Sequence, residues 1–213
     1  MGKTVETTNG LFIGNTIGEA WKIFKEDWIS IYAVIILPWL TLAAYVLSQS
    51  ALGVEPGTPT YWIWYCGYMV FSMVVSMGVC NAFLAITRGK KVTLKTFTKM
   101  FPRILNYLAA QILVTLVILG GFLLFIIPGI IFSIKYMFTP YLVIDKGMGP
   151  IEALKASAKL TDGIKWDLVG FGAAIMVLMY LGALALLVGL LVTIPVATVS
   201  FVVLYNMLIS RKK

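Results

Sequence analysis

The chain of 213 residues has no histidine, two cysteines and little charge: 12% of it is Asp, Glu, Lys or Arg, against about 25% in an average soluble domain. Without histidine it lacks the commonest general base and the commonest metal ligand. It contains no HExxH, nucleophile elbow, P-loop or CxxC sequence. Cys66 and Cys80 fall in one apolar stretch, so about 21 Å of helix separates them and no disulfide joins them. The acids Glu19, Glu26, Asp27, Asp145, Glu152, Asp162 and Asp167 each have a lysine nearby, and none pair at catalytic spacing. These absences predict no enzyme, no metal and no cofactor.

What is abundant is apolar surface. Hydrophobic residues make up 60% of the chain, more than a soluble core of this size absorbs, so the solvent for these side chains is lipid. Apolar stretches run over roughly 29–50, 61–87, 104–127, 129–144, 168–188 and 192–210, most of them near the ~20 residues that cross a bilayer. The fourth is short and carries Lys135 and Pro140. Pro128-Gly129 predicts the turn between the third and fourth stretches. Residues 168–210 hold no charge and read as two spans joined near 189–195. The expected fold is an all-α integral membrane protein of six transmembrane helices, forming a single membrane domain over 1–213. Residues 1–27 are polar and amphipathic, unlike a signal peptide.

The net charge of +8 does not imply nucleic acid. Sixteen of the seventeen cations lie in the N-terminal segment, the loops after the second and fourth stretches, and the C-terminal tail. That asymmetry is the positive-inside pattern, and it predicts that both termini are cytoplasmic. Tyr61, Trp62, Trp64 and Tyr65 then form an outer aromatic belt. Trp21, Phe24, Trp28 and Trp166 serve as interfacial anchors on the inner side.

The cytoplasmic segments resemble one another. Ile17, Ala20, Trp21, Phe24 and Trp28 make a helical stripe, as do Leu94, Phe97, Phe101 and Ile104, and again Ile151, Leu154 and Ala158. The pattern predicts three repeats, at approximately 11–87, 91–145 and 149–210. Each is an amphipathic helix followed by a helical hairpin, with the short helix lying in the interface and its apolar face in lipid.

Four constellations are candidates for function. Lys91, Lys95, Lys99 and Arg103 recur at i+4 on one predicted helix stripe and suit anionic lipid head groups. Lys135, the one charge inside a span, either lines a solute path or snorkels to the outer interface; its closeness to the Pro-Gly turn favours the second. Asn81, Asn106, Gln111 and Asn206 either line such a path or bond across helices. Pro150-x-Glu152-x-x-Lys155 matches a mitochondrial-carrier signature. The other two repeats lack the proline, so it reads as an exposed pair behind a helix-starting proline.

The run Pro128-Gly129-Ile130-Ile131, Lys135, Pro140-Tyr141-Leu142-Val143-Ile144-Asp145, Gly149-Pro150-Ile151-Glu152-Ala153-Leu154-Lys155-Ala156-Ser157 and Leu160-Thr161-Asp162-Gly163 resembles a prokaryotic family. It is named after the membrane domain of glycerophosphoryl diester phosphodiesterases. In two-domain members a soluble domain performs the hydrolysis, and this chain has none, so the resemblance implies a membrane fold without that activity. The expected function is a non-enzymatic lipid-interacting scaffold or lipid-handling module, with membrane lipids as partners, anionic ones among them. The alternative is a small-solute or ion transporter with a path near Lys135.

Overall fold

The computed structural model describes residues 9–93, 96–97, 100–185 and 188–211. Among them the chain is helical throughout, without strands. Helix α1 (Asn9–Glu26) leads into a first hairpin, α2 (Trp28–Ala51) and α3 (Pro59–Ile86). A 3-10 turn (Phe101–Arg103) precedes the second hairpin, α4 (Ile104–Leu124) returning through α5 (Ile126–Tyr136) and α6 (Thr139–Lys146). Helix α7 (Pro150–Leu160) precedes the third, α8 (Lys165–Leu184) and α9 (Val188–Arg211). Six helical segments are long and apolar enough to cross a membrane, as the sequence predicts. The side carrying α1, α7 and the end of α9 is called the terminal side, and the opposite side the tip side.

Two turns differ from expectation, and proline is the reason both times. The break between α4 and α5 falls at Phe125, whose backbone is extended (φ −166°, ψ 161°), and Pro128-Gly129 lies within the first turn of α5. The first backbone N–H groups of a helix have no intrahelical acceptor, so proline costs nothing there. In the third hairpin the chain turns between Leu184 and Val188, and Pro195 sits inside α9. Having no N–H, Pro195 leaves the Leu191 carbonyl without its helical donor. Tyr32 Oη of α2 fills that vacancy at 2.6 Å.

The return span of the second hairpin is also broken, at Met137–Phe138. Ser157 of α7 bridges the gap with one hydroxyl. Its Oγ donates to the Lys135 carbonyl at 2.9 Å and accepts from the Phe138 N–H at 3.3 Å. Thr161 Oγ1 donates to the same carbonyl at 3.4 Å. The Lys135 carbonyl is thus level with the C-terminal turn of α7.

The short lead-in segments dock on protein, which corrects the picture of apolar faces lying in lipid. On α1 the face Phe12, Thr16, Ala20 and Phe24 is buried against α8 and α9. Trp21 stacks on Phe24 and is exposed, so the stripe divides into a docked half and an outward half. On α7 the buried residues are Ala153, Ser157 and Leu160, packed on α4, α5 and α6, while Ile151 is exposed. Between the first two hairpins, the Phe97 ring presses on Gly78 of α3, where a Cβ would lie 2.5 Å from it. Leu94 lies outside the described residues. Each lead-in therefore packs on the hairpin before its own, and α1, with none before it, closes the ring on the third.

The core occupies the terminal-side half. Its largest buried side chains include Tyr205, Phe138, Phe171, Ile31, Met77 and Ile144. Toward the tips burial falls away, although the Tyr32 bond to Leu191 still joins the first and third hairpins there. Within the described residues of 40–72, 114–131 and 176–191 the buried positions are Gly121, Gly129 and Gly182. All three serve contacts inside a single hairpin. A Cβ on Gly121 would lie 3.0 Å from the Gly129 Cα, and one on Gly189 would lie 2.5 Å from the Gly182 carbonyl oxygen. Small residues let helix backbones approach where no hydrophobic effect drives them together.

Candidate functional site

The returning helix of each hairpin delivers one polar residue to a common point on the terminal side. Arg88 follows the end of α3, Asp145 sits in the last turn of α6, and Asn206 lies near the end of α9. Arg88 Nη1 donates to Asp145 Oδ1 at 2.5 Å, and Arg88 Nε and Nη2 donate to Asn206 Oδ1 at 3.1 and 2.9 Å. Asn206 Nδ2 in turn donates to Thr87 Oγ1 at 2.9 Å, and Tyr205 Oη donates to Asp145 Oδ2 at 3.0 Å. The bond to Asp145 raises the already high pKa of the Arg88 guanidinium. The three hairpins are latched by charge-assisted bonds, the stronger class of hydrogen bond.

Further cations surround the end of α6. Arg103 Nη1 donates to the Ile144 carbonyl, and the same guanidinium lies over Gly147, whose left-handed φ of +69° terminates the helix. Lys146 Nζ is 3.8 Å from Asp145 Oδ2. Cations are favoured at a helix C-terminus, where carbonyls point outward. A cleft of about 380 Å³ opens beside the latch, lined by Thr87, Arg88, Asp145, Lys146, Asn206, Ile209 and Ser210. An adjoining cleft of about 210 Å³ brings Glu19 and Ile23 of α1 to Asn206 and Ser210.

The residues singled out in the sequence meet different fates. Lys91 and Arg103 do not share a helix stripe. Gly89, at φ +66°, ends the first hairpin, and Lys90 to Thr93 are non-helical. Thr93 N–H donates to Thr96 Oγ1 at 3.1 Å, a local bond that competes with helix. Lys95 and Lys99 lie outside the described residues. Asn81 donates to the Thr96 carbonyl at 2.6 Å, and Asn206 belongs to the latch. Asn106 is exposed and Gln111 half-buried. Lys135 Nζ lies 5.5 Å from the Tyr136 ring centroid. Among the anchors, Trp21, Trp28 and Trp166 are exposed, whereas Phe24 is buried.

Sequence reasoning missed the convergence of Arg88, Asp145 and Asn206. Arg88 and Asp145 are 57 positions apart, and Arg88 and Asn206 are 118 apart. The available signal was positional: each is a polar residue at or near the end of a hairpin's second apolar run.

No family model matches the chain, and no solved structure gives a significant match. It is 27% identical over 228 residues to an uncharacterised protein of Mycobacterium tuberculosis, covering 94% of this chain and 70% of that one. A protein of Mycobacterium bovis, also uncharacterised, is 26% identical over 227 residues with the same coverage. A UPF0259 membrane protein of Pectobacterium carotovorum is 29% identical over 96 residues, covering 45% of this chain and 38% of the relative. Six bilayer-length apolar helices and the likeness to a bacterial membrane protein agree: the chain is a multi-pass membrane protein of uncharacterised function.

Proposed function

We propose that this protein is a non-enzymatic lipid-handling module of a prokaryotic plasma membrane, with its termini cytoplasmic. The reading is carried by the low burial of the three hairpins toward their tips. In the tip-side segments many apolar side chains are exposed, Leu47 by 67%, Ile63 by 74%, Leu123 by 88% and Met176 by 76%, while half-buried residues such as Tyr45 meet the partner helix of the same hairpin. Water cannot fill space lined this way at membrane depth, so acyl chains occupy it. The terminal-side latch holds the hairpins together and leaves their upper halves to lipid. The cation asymmetry supports the orientation. The motif-level resemblance to a prokaryotic membrane-domain family supports the assignment to prokaryotes. A solute path at Lys135 ranks below this reading, because Ser157 and Thr161 close over the Lys135 carbonyl.

Native mass spectrometry of gently solubilised protein tests the proposal. Under detergent washing that strips annular lipid, a stoichiometric lipid adduct should remain. A folded protein that emerges lipid-free would sink the reading.

A further inference from the structure

We infer that the cleft beside the latch binds the phosphate-bearing head group of a lipid from the terminal-side leaflet, an inference that rests on the lipid-handling reading. Nothing in the sequence row of lysines identifies this cleft; geometry does. Two cations, Arg88 and Lys146, pair with one acid, Asp145, at the end of α6, and a third, Arg103, caps that helix at the Ile144 carbonyl. The carboxylate is occupied on both oxygens, by Arg88 on one and by Tyr205 and Lys146 on the other. It therefore has little capacity left to repel or compete with an anion. Arg88 commits three of its N–H groups to Asn206 and Asp145. Two of the five on a guanidinium remain. Lys146 adds ammonium donors, while the Thr87 and Ser210 hydroxyls in the wall donate to the Phe83 and Met207 carbonyls, so the cations carry the recognition. Glu19 lines the adjoining cleft, which shares Thr87, Asn206 and Ser210 with this one, and it is absent from the wall of the proposed site. Basic pockets between transmembrane helices at interfacial depth suit anionic head groups. The end of α6 lies at that depth, because Arg88 and Ser210 bracket the same level at the ends of α3 and α9.

Phosphate chemistry could come from a lipid or from free phosphate, so the test separates them. Wild type and the double variant Lys146→Gln/Ser210→Ala, which leaves the Arg88–Asp145–Asn206 latch intact, are each placed in nanodiscs of phosphatidylcholine with or without phosphatidylglycerol. Retained lipid is read by native mass spectrometry, and thermal stability is measured with and without inorganic phosphate. Wild type should retain phosphatidylglycerol preferentially. The variant should lose that preference about five-fold at low salt while keeping its melting temperature in phosphatidylcholine and its total retained lipid. Equal preference in the two proteins, or none in wild type, overturns the site. Stabilisation by inorganic phosphate matching that by phosphatidylglycerol overturns the lipid assignment in favour of free anion. Loss of all retained lipid from wild type is a separate result, which refutes the lipid-handling reading itself.

Discussion

A double-mutant cycle at Tyr32 and Pro195 probes how the ring of hairpins closes. The first and third hairpins are joined by no direct chain connection, so apart from the bonds of Arg88 and Thr87 to Asn206 their seam depends on α1 and on contacts between α2 and α9. Tyr32 serves both. Its ring meets Phe24 of α1 and Trp28 edge-on, and its hydroxyl donates to the Leu191 carbonyl that Pro195 leaves unpaired. Tyr32→Phe keeps the ring and removes the donor. Leu191 is exposed to lipid, where no water replaces a lost hydrogen bond. An unpaired carbonyl there costs about 1–2 kcal/mol, between the typical values for a membrane hydrogen bond and a buried unsatisfied group. Pro195→Ala restores the N–H at position 195, so the Leu191 carbonyl regains its own helical partner. In that background Tyr32→Phe should cost little, giving a coupling of about 1 kcal/mol. Equilibrium unfolding by SDS in bicelles, followed by tryptophan fluorescence, measures all four corners. Equal costs of Tyr32→Phe in both backgrounds would refute the argument, because they would mean that Tyr32 does not complete the proline gap.

The docking of α1 makes Phe24 and Trp21 unequal. Phe24→Ala should destabilise the fold by about 3 kcal/mol, the lower end for a buried phenylalanine. Trp21→Ala, at a side chain 42% exposed, should cost about 1 kcal/mol or less; similar losses in detergent unfolding would place both on lipid. In the third hairpin, Gly189→Ala drives a methyl group to 2.5 Å from the Gly182 carbonyl oxygen, and backbone cannot yield as a flexible side chain can. A loss of about 1–3 kcal/mol is expected, measured by the same unfolding assay, and an unchanged stability would contradict the close crossing.

Much of the fold was legible because a bilayer imposes a simple demand. Every backbone polar group must be paired within the helix, so uninterrupted apolar runs such as 168–210 announce spans directly. Prolines misled at two points for one reason. Their meaning depends on whether the missing N–H is needed, and Pro128 sits where it is not, while Pro195 is compensated by a residue of another hairpin. The lead-in helices were recognisable by their periodicity, but periodicity does not say whether an apolar face meets lipid or protein. Phe24 and Trp21 share a sequence stripe and part company only when α9 is in place. The latch was the least legible feature. Arg88 and Asp145 look like ordinary loop charges until three distant chain ends meet, and Asn206 looks like one more buried amide. Ser157 stood in the sequence only as part of the family-like run, since its bridging role exists only because the return span breaks at Met137–Phe138.

The account stands or falls on the low burial of the hairpin tips. Nitroxide labels placed singly at 40 to 47 along α2, in a background with Cys66 and Cys80 replaced, report oxygen accessibility at each position in nanodiscs. In a closed six-helix bundle one face of α2 would be buried and accessibility would oscillate with a period of about 3.6 residues. Here Leu40, Leu42, Ala43, Ala44, Val46 and Leu47 are exposed, while Thr41 and Tyr45 are half-buried on the side that meets α3 of the same hairpin, where Tyr45 stacks on Tyr68. The account predicts high accessibility at the exposed positions with shallow dips at Thr41 and Tyr45, whereas labels at Ile31 and Val34, which are buried, should be fully protected. Protection at 41 and 45 as deep as at 31 and 34 would show a closed bundle and contradict it.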